Sequence, residues 1–218
     1  MSSASVVVAS GVHKAFHRGA ETVHALRGAS LDVRAGEIVG LAGASGSGKS
    51  TLLAVLCGWE APDEGTVAHA DAAVPAAALP WESLALVPQT LGLLEDLTVR
   101  ENVELSARLR GRRHRPDRER SDGLLDRLGL THLARRLPKT TSVGEQQRTA
   151  IARALYAEPT LLLADEPTAH QDHGWAQAVL DALRAQADAG GALLVVSHDP
   201  QTLDSCDRVL TMVDGTLR

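Results

Sequence analysis

Nine consecutive residues, Gly43-Ala44-Ser45-Gly46-Ser47-Gly48-Lys49-Ser50-Thr51, constrain this chain more than any other stretch of it. They satisfy G-x-x-x-x-G-K-[ST] without a gap, through Gly43, Gly48, Lys49 and Ser50. The flanks suit the motif. Glu37-Ile38-Val39-Gly40-Leu41-Ala42 reads as a buried strand, and Leu52-Leu53-Ala54-Val55-Leu56 as a helix. A glycine loop between a strand and a helix start turns successive backbone N–H groups inward, and the helix end adds a positive partial charge. That makes a cradle for phosphate. Lys49 is expected to reach β- and γ-phosphate oxygens, and the Ser50 hydroxyl to ligate Mg2+.

A second set of groups fits the same ligand. Leu161-Leu162-Leu163-Ala164-Asp165-Glu166 is an apolar strand ending in two carboxylates. In a parallel sheet, ligands bind beyond the carboxyl ends of the strands. That sets Asp165 beside the cation held by Ser50, and Glu166 one residue further, suited to polarise an attacking water. Val195-Val196-Ser197-His198-Asp199 is another strand ending on the same edge. His198 is suited to hydrogen-bond the γ-phosphate and hold water in place. The other eight of the nine histidines read as ordinary surface residues.

The remaining patterns give the organisation. Residues 5–9, 29–34, 65–69, 84–88 and 192–196 read as strands, with a polar turn near Arg18–Thr22 and a loop or ragged helix over the Ala/Pro-rich 70–80. From Thr98 to Leu137 the spacing becomes helical and charge is dense. Thr98-x-x-Glu101 is a capping box that opens a helix, and Leu124, Leu125 and Leu128 share one helix face. Seven arginines between Arg108 and Arg120 read as a solvated charged face, because acids interrupt the run. A helix is expected over 174–189. Uninterrupted apolar strands alternating with helices predict a parallel sheet covered on both faces.

Composition excludes several classes. Apolar residues make up 44% of 218, enough for a real core. A net charge of −5 and only 2% aromatic residues argue against nucleic acid as a partner. Cys57 and Cys206 have no metal-binding spacing and suit a reducing compartment. No apolar run approaches the ~20 residues of a membrane helix, and the start of the chain lacks signal-peptide features. The expectation is a soluble, cytosolic chain that depends on another polypeptide for any membrane work.

GASGSGKST, Val87-Pro88-Gln89, Ser142-Val143-Gly144-Glu145-Gln146-Gln147-Arg148, Leu163-Ala164-Asp165-Glu166-Pro167-Thr168 and Ser197-His198-Asp199 follow one another in an order that resembles the ATP-binding subunit of an ABC transporter. The likeness runs from about Val6 to Leu217, and Gln89–Arg100 is similar to the lipoprotein-releasing and macrolide-exporter branch. The resemblance implies an α/β P-loop NTPase with a RecA-like core, an antiparallel β subdomain and an inserted helical subdomain. The expected bounds are 1–88 and 146–218 for the core with its β subdomain, and 89–145 for the helical part. It implies ATP and Mg2+ as ligands. Gly43, Ala44, Ser45, Gly46, Ser47, Gly48, Lys49, Ser50 and Thr51 would hold the phosphates, and Phe16 would stack on adenine. Ser50, Gln89 and Asp165 would hold the metal. Glu166 would be the base and His198 the switch histidine, with Gln89 and Lys49 assisting catalysis.

The partners implied are a second ATP-binding subunit, in a homodimer or a heterodimer, and an integral-membrane permease on a separate chain. In such a head-to-tail dimer Ser142, Gly144 and Glu145 would meet the partner's nucleotide, with Asp172 in the adjoining loop. Ser142-x-x-Glu145 is itself a capping box, and a second anion-binding helix end suits a second nucleotide. The family pattern has glycine at Val143, leucine at Thr141 and leucine at Gln171, so this chain departs from it on the side facing the partner. The expected function is ATP hydrolysis that powers a permease at the cytoplasmic face of the inner or plasma membrane, in extrusion of lipoprotein, peptide or drug. Regulation of a membrane complex without transport, or nucleotide-gated binding with little turnover, are the alternatives.

Overall fold

Alternating apolar residues at the start of the chain build an antiparallel sheet that lies over the parallel one. A computed structural model of the protein describes residues 4–19, 21–70, 83–110 and 115–218. Strands β1 (Ser5–Arg18) and β2 (Glu21–Arg34) pair with Phe16 opposite Val23. Val7, Val12, Leu26 and Val33 fill the core beneath them. Both strands are longer than the sequence pattern predicts. Bulges absorb the breaks in alternation, and at one of them, between Ala9 and Val12, Gly11 takes a φ of 58°.

β3 (Ile38–Gly43) and α1 (Lys49–Leu56) come next, and β4 (Glu64–His69) completes a sheet of order β2-β1-β4. The loop expected over 70–80 lies outside the described residues from 71 onward. β5 (Leu84–Val87) stops before Pro88, which has no N–H to give a ladder. Helices α2 (Val99–Val103), α3 (Leu105–Leu109), α4 (Arg118–Arg127) and α5 (Val143–Tyr156) follow. The chain then alternates β6 (Leu161–Asp165), α6 (His173–Asp188), β7 (Ala192–Val196) and α7 (Pro200–Asp204), and ends in β8 (Arg208–Val213) and β9 (Thr216–Leu217).

The second sheet has the order β5-β6-β7-β3-β8-β9, parallel from β5 to β8. Only the β8–β9 pair is antiparallel there. No sequence pattern marks β8 and β9, since half of β8 is open to solvent and its apolar signal is diluted. Leu161 and Leu163 of β6 face α1 and the antiparallel sheet, whereas Leu162 faces the core beneath α5 and α6. Burial on both faces is why β6 and β7 read as unbroken apolar runs.

Between β5 and β6 the chain is helical, and these helices share one apolar cluster with the parallel sheet. The Thr98 box closes in both directions. Thr98 Oγ1 accepts the Glu101 N–H at 3.3 Å, and Glu101 Oε2 accepts the Thr98 N–H at 3.0 Å. The arginine-rich segment departs from its expected role as a purely solvated face. Glu104 is fully buried, and Arg100, Arg108 and Arg118 stand 3.8, 3.6 and 3.4 Å from its carboxylate. Ser121 Oγ adds a hydrogen bond at 2.9 Å. A carboxylate buried without countercharge would be prohibitive, so part of the run supplies that charge.

Two side chains carry the segment after Gln89. Arg153 of α5 donates to the Leu91 and Gly92 carbonyls at 2.8 and 2.7 Å. Asn102, with none of its surface exposed, accepts the Leu94 N–H at 2.9 Å and donates to the Leu94 and Leu97 carbonyls at 3.0 and 2.9 Å. Replacing Asn102 by alanine leaves these backbone groups without partners. Asn102→Ala is expected to cost about 2–3 kcal/mol of stability, read as a lowered urea midpoint.

Candidate functional site

The glycine loop is shaped by what lies beneath it. A methyl group on Gly43 would meet the Met212 carbonyl at 2.5 Å, and one on Gly48 the Ala25 carbonyl at 2.3 Å. Their φ angles of 153° and 112° add a second reason for glycine at both positions. The β8–β9 turn clamps the loop from behind. Gly215 donates its N–H to the Ser47 carbonyl at 2.9 Å and accepts the Arg27 N–H at 2.8 Å. Lys49 Nζ donates to the Gly43 and Ala44 carbonyls at 2.8 and 2.9 Å, so the ammonium lies along the rim of the loop.

Parallel register brings the carboxylates to this rim. Ser50 Oγ donates to Asp165 Oδ2 at 3.2 Å, across 115 residues of sequence. Burial pushes the Asp165 carboxyl above its ordinary value; the Ser50 hydrogen bond pulls it back, and the Glu166 charge adds to the rise. Two hard oxygen donors side by side fit Mg2+, which takes few protein ligands and completes its shell with phosphate and water. The cation's charge would also favour ionised Asp165.

Glu166 follows the end of β6 with a φ of 51°, a left-handed conformation that is costly for a side chain of this size. Its N–H is held by the Val196 carbonyl at 2.9 Å, and its own carbonyl accepts from Gln147 Nε2 at 3.2 Å. These bonds aim the carboxylate at β7. Glu166 Oε2 accepts from Ser197 Oγ at 3.2 Å, and Oε1 lies 2.7 Å from His198 Nδ1. The hydrogen bond to Glu166 raises the pKa of His198 above the ordinary histidine value.

A cavity of about 750 Å3 joins these groups. β1 and β2 contribute Phe16, Val23 and His24 to its wall. The loop and α1 contribute Gly43, Ser45, Gly46, Gly48, Lys49, Ser50 and Thr51. Gln89 stands after β5, Asp165 and Glu166 at the end of β6, and His198 after β7. The volume falls in the usual range for small-molecule sites. Lys14 Nζ sits 5.4 Å from the Phe16 ring centroid, braced by Glu60 and Asp63.

Several expected residues lie elsewhere. Ala44 and Ser47 line a separate hollow of about 210 Å3 behind the loop, and Ser47 is buried. Ser142, Gly144, Glu145 and Asp172 do not line the cavity. Ser142 caps α5, where Glu145 Oε2 accepts the Ser142 N–H at 2.7 Å. Asp172 caps α6 through the Trp175 N–H at 3.0 Å. The wall also includes Val23, His24, Ala25, Gln147, Ala169 and His170, which no sequence pattern marked as site residues. His170 carried no local signal; it reaches the cavity because the chain turns there with a φ of 61°.

A family model described as ABC transporter matches residues 26–169. The lipoprotein-releasing system ATP-binding protein LolD of Gluconobacter oxydans is 43% identical over 223 residues, covering 98% of this chain and 96% of the relative. The uncharacterised ABC transporter ATP-binding protein YbbA of Escherichia coli K12 is 37% identical, covering 100% of this chain and 99% of the relative. Among solved structures, the dimeric post-hydrolysis state of the cassette MJ0796, bound to ADP and Pi, superposes with a TM-score of 0.87 at 30% identity, covering 97% and 96% of the two chains.

The His198 contact has a measurable consequence. The Glu166 carboxylate stabilises the imidazolium, so the pairing is strongest below the raised pKa and weakens as pH rises through it. Glu166→Gln removes the negative charge, and the His198 titration followed by NMR should move down toward the ordinary histidine value.

Proposed function

The chain belongs to the ABC transporter family and is an ATP-hydrolysing subunit that powers a membrane permease; from that premise we propose which residues do the work and on what cargo. Lys49 swings from the loop carbonyls onto β- and γ-phosphate oxygens as ATP enters. Phe16 stacks on adenine, with Val23 beside it. Ser50 and Asp165, with Gln89 at the rim, hold Mg2+, which when bound neutralises phosphate charge and orients the triphosphate. Glu166 accepts the proton of the attacking water, and His198 steadies the γ-phosphate. Contact between Glu166 and His198 across two strand ends, within reach of Lys49 and Ser50, carries this reading.

The working unit proposed is a pair of such subunits, in which Ser142, Gly144 and Glu145 of one chain meet the nucleotide of the other. The capped N-terminus of α5 outside this chain's own cavity supports that arrangement. Among the described residues no helix is long and apolar enough to cross a membrane. The proposed location is the cytoplasmic face of the membrane, through a separate permease, a reading that the LolD relatives support. The LolD relatives point to lipoprotein release as the movement it drives.

Glu166→Gln tests the catalytic assignment. The amide cannot accept a proton, so turnover should fall by about 10^2 or more while ATP binding persists. Ordinary hydrolysis by that variant would place the base elsewhere. Val143 makes a second test. It occupies the first turn of α5 and is 54% exposed, so its branched side chain stands on the face offered to the partner. Its N–H remains free to donate, but its bulk holds phosphate away. Val143→Gly is expected to raise steady-state ATPase activity in the assembled transporter by about twofold to fivefold, the size of a small steric term. A variant no faster than the wild type would show the valine to be harmless.

A further inference from the structure

Helix α5 is fastened to the loop after β6 at two points, one at the wall of the nucleotide cavity and one outside it. Gln147, almost fully buried, donates to the Glu166 carbonyl at 3.2 Å. One turn away, Gln171 Nε2 donates to the Gly144 carbonyl at 3.0 Å. Its Oε1 accepts from Arg148 Nη1 at 2.6 Å. Arg148 is itself held on several sides. It is 6% exposed, donates from Nε to the Leu128 carbonyl at 2.9 Å, and lies 4.3 Å from the Trp175 ring. Loop and helix also touch directly, since a methyl on Gly144 would meet the His170 carbonyl at 2.8 Å.

We propose that Gln171 is a positioning residue that holds the first turn of α5 in fixed register with the loop carrying Glu166. This rests on the ATP-site reading above for its consequence, not for its geometry. Glu166, Ala169 and His170 line the nucleotide cavity, while Ser142 and Val143 begin the turn that lies outside it. A glutamine is suited to the joint. It offers a donor to a helix carbonyl and an acceptor to a buried guanidinium at once. Any shift of the loop as the cavity fills is passed to Gly144, and so to the turn that meets the second nucleotide. A purely structural role would be narrower, with Gln171 serving only to satisfy Arg148.

Two substitutions separate these roles. Gln171→Glu gives Arg148 a charged partner, which favours stability, but sets a carboxylate oxygen against the Gly144 and Ala169 carbonyls. Gln171→Leu removes both bonds and leaves an apolar side chain, the residue type of the family pattern at this position. Hydrogen exchange of the Gln146, Gln147 and Arg148 amides, which bond to the first-turn carbonyls of α5, reads the tie in the full chain without any nucleotide. One lost hydrogen bond should speed that exchange by about threefold to tenfold in both variants. With ATP, both variants should lose about fivefold or more in kcat at saturation while mant-ADP affinity stays within about twofold. If Gln171→Glu keeps wild-type exchange and kcat, Arg148 alone is being satisfied and the proposal falls. Unchanged exchange in Gln171→Leu also overturns it, whatever the nucleotide data show. The mant-ADP titration tests the ATP-site reading separately.

Discussion

Parallel pairing of β6 with β7, and of β7 with β3, is the constraint on which the site depends. Leu163 sits in register with Leu194, and Leu41 with Val196, so three strand ends finish level on one edge. Ser50, Glu166 and His198 meet there although 148 positions separate the first from the last (198 − 50). A slip of one residue in β6 would turn Asp165 to the opposite face of the sheet and break its contact with Ser50. The leucines and valines that prevent the slip are those that fill the two cores.

Strain and unmet charge gather at the same edge. Glu166 and His170 both adopt left-handed backbone in a short loop, a cost of roughly 1–3 kcal/mol each that the buried strands on either side sustain. Asp165 is buried with its carboxyl pushed up, beside the Ser50 hydroxyl and within range of the Lys49 charge. Glu166 is satisfied by Ser197 and His198, groups an incoming phosphate can compete for. The fold holds this arrangement, and a ligand that met these groups would relieve it.

The helical insertion works by a different balance. Its apolar core is supplemented by Glu104 with its ring of arginines and by Asn102 with its backbone bonds. Arg153 then ties the segment after Gln89 to α5. Because α5 also carries Gln147 and Arg148, one helix touches the Gln89 segment, the Glu166 loop and the turn outside the cavity. That shared helix is a physical route from the cavity to the turn that begins at Ser142.

The phosphate loop, the strand-end acids and both capping boxes were legible in the sequence, because each is a local pattern whose chemistry needs residues at fixed spacing. The parallel sheet was legible too, since burial on both faces leaves an unbroken apolar run. Local pattern could not show that Ser47 turns beneath its loop, that His170 reaches the cavity, or that three arginines surround Glu104. Those outcomes depend on which distant segment packs against each residue. β8 and β9 were missed for the same reason: only pairing with β3 and contact with the glycine loop make Gly215 and Met212 structural. Local motifs carried the ligand chemistry, and tertiary packing decided how its parts are joined, because the joints at Gln147, Gln171 and Arg153 are hydrogen bonds between segments far apart in the chain.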